Sequence, residues 1–202
     1  YEFLEEKGVL GPWFLGAHSL LLSEEEKELI RERGVRICHC PFSNCGKAVP
    51  DTPSLLKRGI PVGLGTDGAA HGGLSIWNEM KIFRSVMNVT HGAPLAEPAV
   101  MPAKKILDIA VKGGAACLGE EPATIAVGKR ADLIGIDMDA PHLWIHGKIS
   151  NTLLESVGAG DVKDMIVGGR FLMRNREILT LDEEKIRSEA LAFEKGESRW
   201  SI

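Results

Sequence analysis

The chain has 202 residues, 44% of them hydrophobic, and a formal net charge of -4 with both signs interspersed. That length suits one large or two modest domains. The lack of a long basic run excludes a nucleic-acid footprint, and the lack of about 18 consecutive apolar residues excludes a membrane-spanning helix. Four cysteines, Cys38, Cys40, Cys45 and Cys117, are too few for a disulfide scaffold and fit reduced thiols in a cytoplasmic protein.

The predicted elements alternate. Tyr1 to Glu6 lacks the basic and apolar regions of a signal peptide and the initiator Met, so the polypeptide is expected to begin upstream of Tyr1. Phe14 to Ala17 is a short apolar run. Ser23 and Glu26 form a capping box that opens an acidic helix, which Gly34 can terminate. Val35 to Cys40 reads as a strand, and 41–51 as loop. Thr52 is expected to cap a helix with Pro53 at its first position, closed by Gly59. Ile60 to Leu64 is a further apolar strand. Ser75 can cap a helix to about Asn88, and another helix fits Ala103 to Lys112.

Apolar strands alternating with amphipathic helices imply a parallel sheet covered on both faces, either a doubly wound sheet or a (β/α)8 barrel. A barrel needs about 250 residues, and the βα pattern here ends near residue 120, so either about half of one is present with the rest expected upstream or this is a smaller open sheet. From about Ile125 the pattern becomes short strands, with Gly168-Gly169 suited to a two-residue hairpin turn. Asp182 then caps a last helix. The expected organisation is an α/β unit over 1–122, a small β unit over 123–180 and a helix over 181–202.

The residues that could carry chemistry sit at strand ends. Asp67 follows Gly63-Leu64-Gly65-Thr66, where a carboxylate either meets a ligand or closes a turn. His18 ends the run Phe14 to Ala17, and His39 ends the strand from Val35. Each could ligate metal, move a proton or serve as a core histidine. Three successive strands ending in His18, His39 and Asp67 make a constellation. His71 follows in a glycine-bearing loop, facing either the same pocket or solvent. His91, His142 and His146 read as surface or packing residues. The Cys38-His39-Cys40 run lacks the spacing of a zinc knuckle. Ser43, Ser75 and Ser150 lack a nucleophile-elbow pattern. The stripe Ile76, Met80, Phe83 and Met87 reads as ordinary core.

Gly16-Ala17-His18, Ser23 to Glu26, His39-Cys40-Pro41-Phe42-Ser43-Asn44 and Gly65-Thr66-Asp67-Gly68 together resemble the second half of the barrel in the amidohydrolase superfamily. The similarity is to its chlorohydrolase and aminohydrolase branch, which acts on triazines, guanine, cytosine and adenosine derivatives. Ile125 to Ile134 resembles that family's return into its β-sandwich domain. Pro141-His142-Leu143, Asp161-Val162-Lys163 and Ile166 to Arg170 lean towards methylthioadenosine/S-adenosylhomocysteine deaminases. The resemblance implies the C-terminal half of a TIM-type barrel, part of a small β-sandwich domain and a C-terminal helix.

It also implies a divalent metal, zinc before iron. Asp67 is its ligand and the general base, and His18 contacts the attacked centre and its oxyanion. His39 and His71 fall on the substrate side. The family's His-x-His pair, its other metal histidine and the proton-shuttling glutamate have no counterpart here and are expected before Tyr1. Ser19, Cys40 and His71-Gly72-Gly73 depart from the family's usual residues. The expected reaction is hydrolytic deamination of a purine, pyrimidine or triazine-like ring. Dechlorination, ring opening or a non-catalytic assembly role are the rivals. The expected partners are a heterocyclic small molecule and either a second copy of the chain or the complementary N-terminal part, with no nucleic acid and no membrane.

Overall fold

The computed structural model describes residues 1–69, 73–97, 99–145 and 147–196. Its contacts divide the chain into two units. One comprises Tyr1–Thr124 with Pro141–Ala159, the other Ile125–Ala140 with Gly160–Ile202. The sequence reading drew one β segment over 123–180; residues 141–159 instead pack with the first unit, where Leu143, Leu154 and Val157 are buried.

The first unit begins with α1 (Glu2–Glu6), β1 (Leu15–Ala17), α2 (Glu24–Arg33), β2 (Arg36–His39), α3 (Pro41–Asn44), α4 (Thr52–Lys57), β3 (Val62–Leu64) and α5 (Ile76–Met87). The strands pair in the order β1-β2-β3, all parallel. Their C-terminal ends therefore share one rim. The expected capping box is present: Ser23 accepts from Glu26 N, and the Glu26 side chain accepts from Ser23 N. Gly34 ends α2 at φ 66, a left-handed conformation that costs glycine little. One cap differs from expectation. Asp51, not Thr52, accepts from Ser54 N and caps α4, because a carboxylate before Thr-Pro reaches the free amides better than a hydroxyl inside the turn. The loop expected over 41–51 also begins with α3, started by Pro41 at its first position.

The core lies between the sheet and its helices. Ile37, Val62 and Leu64 from the strands meet Ile30 of α2, Leu55 of α4 and Met80, Phe83 and Met87 of α5. The stripe read as ordinary core does pack there, Ile76 at its margin. The helix expected to Lys112 runs further: α6 (Ala103–Asp108) passes through a π turn (Ile109–Gly113) into α7 (Gly114–Leu118). It approaches β3 backbone to backbone. A Cβ on Gly113 would stand 1.9 Å from the Val62 carbonyl oxygen, so only glycine allows this approach. The unit closes with a short helix, α8 (Ile149–Asn151), continued by a π turn to Ser156.

The second unit carries an antiparallel sheet of β4 (Leu133–Ile136), β5 (Val162–Val167), β6 (Arg170–Arg174) and β7 (Glu177–Ile178), in that order. Gly168 and Gly169, at φ 56 and 79, make the two-residue turn between β5 and β6. Asp182 caps α9 (Glu183–Glu194) by accepting from Lys185 N at 2.9 Å. Among the described residues, no helix is long and apolar enough to cross a membrane.

The close approach at β3 is testable. Gly113→Ala should destabilise by about 1–3 kcal/mol through overpacking. Gly114→Ala, whose Cβ would meet nothing within 4 Å, should be neutral or slightly stabilising. Denaturant unfolding of both variants decides, and equal stability would rule out a rigid contact.

Candidate functional site

The chain leaves β1 at Ala17 and turns at once. His18 and Ser19 take φ 65 and 46, and Asp67 after β3 takes φ 58. Left-handed backbone costs a non-glycine residue roughly 1–2 kcal/mol. Such strain persists only where surrounding bonds hold it, and it collects at functional sites. Here the bonds are visible. His18 N donates to Cys38 O at 2.8 Å, and His39 Nδ1–H donates to His18 O at 2.9 Å. At the neighbouring strand, Gly65 N donates to His39 O at 2.7 Å.

These turns bring His18 and Asp67 together, with His18 Nε2 3.6 Å from Asp67 Oδ2 and both side chains about 30% exposed. Each is gripped by a residue of α3. Ser43 Oγ donates to Asp67 Oδ2 at 2.6 Å, and His18 Nδ1–H donates to Asn44 Oδ1 at 2.8 Å. Asp67 Oδ1 also accepts from Gly68 N at 2.8 Å. Lys47 Nζ donates to Ser43 Oγ at 2.9 Å. An ammonium only donates, so the single hydroxyl proton of Ser43 is left to face Asp67.

Behind α3 lies Glu79, buried on α5, which accepts from Phe42 N at 2.8 Å. Burial raises its carboxyl above the ordinary range. The Phe42 N–H opposes that rise, and the charge of Asp67 adds to it.

Of the residues singled out from sequence, His18 and Asp67 meet at the rim. His39 does not reach it in the expected way. Its side chain is fully buried, it braces the His18 turn from beneath, and among the described residues its Nε2 has no hydrogen-bond partner. Burial pushes its imidazole down to about 4, opposed by the bond to His18 O, so the ring is neutral at pH 7. His71 lies outside the described residues. His91 Nε2 meets the Pro50 carbonyl at 3.4 Å, a packing contact. The four cysteines are free thiols, and burial pushes Cys38 up to about 12. Among the described residues, no three His, Cys, Asp or Glu side chains gather as a metal site.

Sequence reasoning missed Ser43, Asn44, Lys47 and Glu79 as part of the site. Ser43 lacks a nucleophile pattern, and its sequence neighbours give no sign of its bond to Asp67. Glu79 offered a signal: three residues after Ile76 and four before Phe83, it places a charge inside an apolar stripe, which calls for a buried partner.

The model of the amidohydrolase family matches residues 1–172. The chain is 37% identical over 190 residues to a 5'-deoxyadenosine deaminase of Methanosarcina mazei, covering 93% of this chain and 43% of that protein. It is 37% identical over 191 residues to a 5-methylthioadenosine/S-adenosylhomocysteine deaminase of Dictyoglomus thermophilum, covering 93% and 44%. It thus spans less than half the length of these relatives. An adenosine deaminase of Xanthomonas campestris with bound zinc superposes with a TM-score of 0.88 at 26% identity, over 96% of this chain and 45% of that one. An atrazine chlorohydrolase of Arthrobacter aurescens complexed with zinc gives 0.83 at 25%, over 95% and 43%.

The buried His39 sets a pH dependence. Its folded value lies below the ordinary 6.5, so the unfolded chain binds the extra proton between them. Stability from this group is full above about 6.5 and falls as pH drops to about 4, by roughly 3 kcal/mol in all. Unfolding measured across that range should show the loss, and His39→Gln should flatten it. An unchanged slope in the variant would assign the acid loss elsewhere.

Proposed function

The chain belongs to the amidohydrolase family, and from that premise we propose that it is part of a metal-dependent hydrolase that deaminates a heterocyclic ring, with an adenosine derivative as the substrate class. The observation that carries the reading is the pairing of His18 and Asp67 at one rim of the parallel sheet. The relatives named as deaminases are more similar in sequence than the chlorohydrolase, which favours loss of ammonia over loss of chloride. The three parallel strands are read as part of a (β/α)8 barrel, and the antiparallel sheet as part of a small β-sandwich domain. A cytoplasmic location belongs to the same proposal.

The donor set fits a divalent metal in part. Asp67 supplies a carboxylate oxygen fixed in direction by Ser43 and Gly68, while His18 stands beside it on the substrate side and is not counted as a ligand. A zinc site takes four ligands. The remaining ligands, and the acid that protonates the ring, are proposed to come from the complementary part of the same protein, with a second copy of the chain as the alternative source. Asp67 would hold the metal, which when bound lowers the pKa of a water molecule towards neutrality. We assign zinc, because two structural neighbours carry it.

In this mechanism Asp67 removes the proton of the attacking water as general base. Its carboxylate is already aimed by Ser43, so little reorganisation accompanies the transfer. His18 faces the charge that develops at the attacked carbon's substituent. Its Nδ1–H is committed to Asn44, which leaves Nε2 as the ring atom turned to the reacting centre. His39 is buried and bonded to the His18 carbonyl, and it is proposed as the brace of the His18 turn. His71 is proposed to touch the non-reacting side of the substrate; relative kcat/KM over a purine and pyrimidine panel tests it, and unchanged ratios in His71→Ala would remove it.

Asp67→Asn in the intact protein should abolish turnover and weaken zinc binding, since the amide lacks both charge and basicity. His18→Ala should lower kcat by about 100-fold or more while bound zinc stays near stoichiometric. Metal content and ammonia release, measured on the same samples, check both. Full activity in Asp67→Asn, or zinc loss in His18→Ala, would overturn the assigned roles.

A further inference from the structure

Two reactive side chains come from different strand ends, yet both are held by consecutive residues of one short turn. Ser43 holds Asp67, and Asn44 holds His18. The turn α3 has only four residues, and its start is tied to α5 by Phe42 N donating to Glu79 Oε2. Glu79 is 2% exposed, and the Phe42 amide is the hydrogen-bond partner that its carboxylate finds in the described structure. No side-chain cap supports α3 from Cys40. Removing one charge from a buried apolar stripe would ordinarily relieve the fold, so packing alone gives no reason for a carboxylate at this place.

We propose that Glu79 is a positioning residue for the reaction, pinning α3 so that Ser43 and Asn44 orient Asp67 and His18 together. The proposal rests on the reading of those two side chains as the reacting pair. It separates three effects. Loss of Ser43 should disturb the Asp67 side, and loss of Asn44 the His18 side. Loss of the acceptor at 79 should disturb both, because it frees the turn that carries both. The acceptor matters here rather than the charge, so an amide oxygen at the same place serves as well. Its neutral form also escapes the repulsion from Asp67.

The test compares Glu79→Met, close in shape without an acceptor, with Glu79→Gln, which keeps one. Three quantities are measured on the intact protein: amide exchange over residues 41–47, zinc affinity and kcat. Glu79→Met should fold with parent-like thermal stability, expose the Phe42 amide to fast exchange, and lose on the order of 10–100-fold in both zinc affinity and kcat. Glu79→Gln should restore all three. Parent-like exchange or zinc affinity in Glu79→Met overturns the proposal, as does a Glu79→Gln variant with the same defects. If Glu79→Met does not fold, a rapidly exchanging Phe42 amide in the parent or in Glu79→Gln overturns it, and protection in both supports it. Amide exchange needs neither metal nor turnover, so it separates failure of this proposal from failure of the enzymatic reading.

Discussion

The carboxylate of Asp67 is the point on which the site turns. It sits in left-handed backbone at the end of a fully buried strand, and the hydroxyl of a residue 24 positions earlier holds its outer oxygen at 2.6 Å. A carboxylate placed there costs backbone strain and desolvation. Both are offset by short hydrogen bonds from Ser43 and Gly68, which leave its direction little freedom. The end of β1, on the far side of β2, repeats the solution with His18, strained in φ and held by Asn44 and by the buried His39. Helices α5 and α7, with the π turn that precedes α7, pack against β3 and support this rim from the core.

That division explains what was legible in the sequence. Local chemistry reads well. The Ser23–Glu26 box, the Gly34 stop, the Ser75 cap and the Gly168-Gly169 turn each depend on residues within a few positions, and each is present. The strand-end placement of His18, His39 and Asp67 was also visible, because apolar runs followed by glycine or polar residues mark where strands stop. Partners across long separations were not. Ser43 meets Asp67 only because β2 and β3 are adjacent and in a register that sets His39 opposite Leu64. Nothing in the spacing of the two residues carries that information.

The buried charge shows a second limit. Pattern reading sorted Ile76, Met80, Phe83 and Met87 into a core stripe and passed over Glu79 among them. The same register that buries the stripe buries the carboxylate against α3. His39 erred in the opposite direction: its place at a strand end suggested the rim, but the alternation of the strand turns its ring inward. Residues 141–143 and 149–156 form helical turns rather than strands, and Leu154 among them joins the core of the first unit.

The central proposal is that this rim is part of a metal-dependent hydrolase that removes an amino group from a heterocyclic ring. Ammonia release from 5'-deoxyadenosine and methylthioadenosine by the intact protein tests it most directly, assayed as purified, after chelation, and after zinc is returned. The account predicts release that chelation abolishes and zinc restores. Release that persists in fully metal-free protein, or none from any heterocyclic amine with zinc bound, would contradict it.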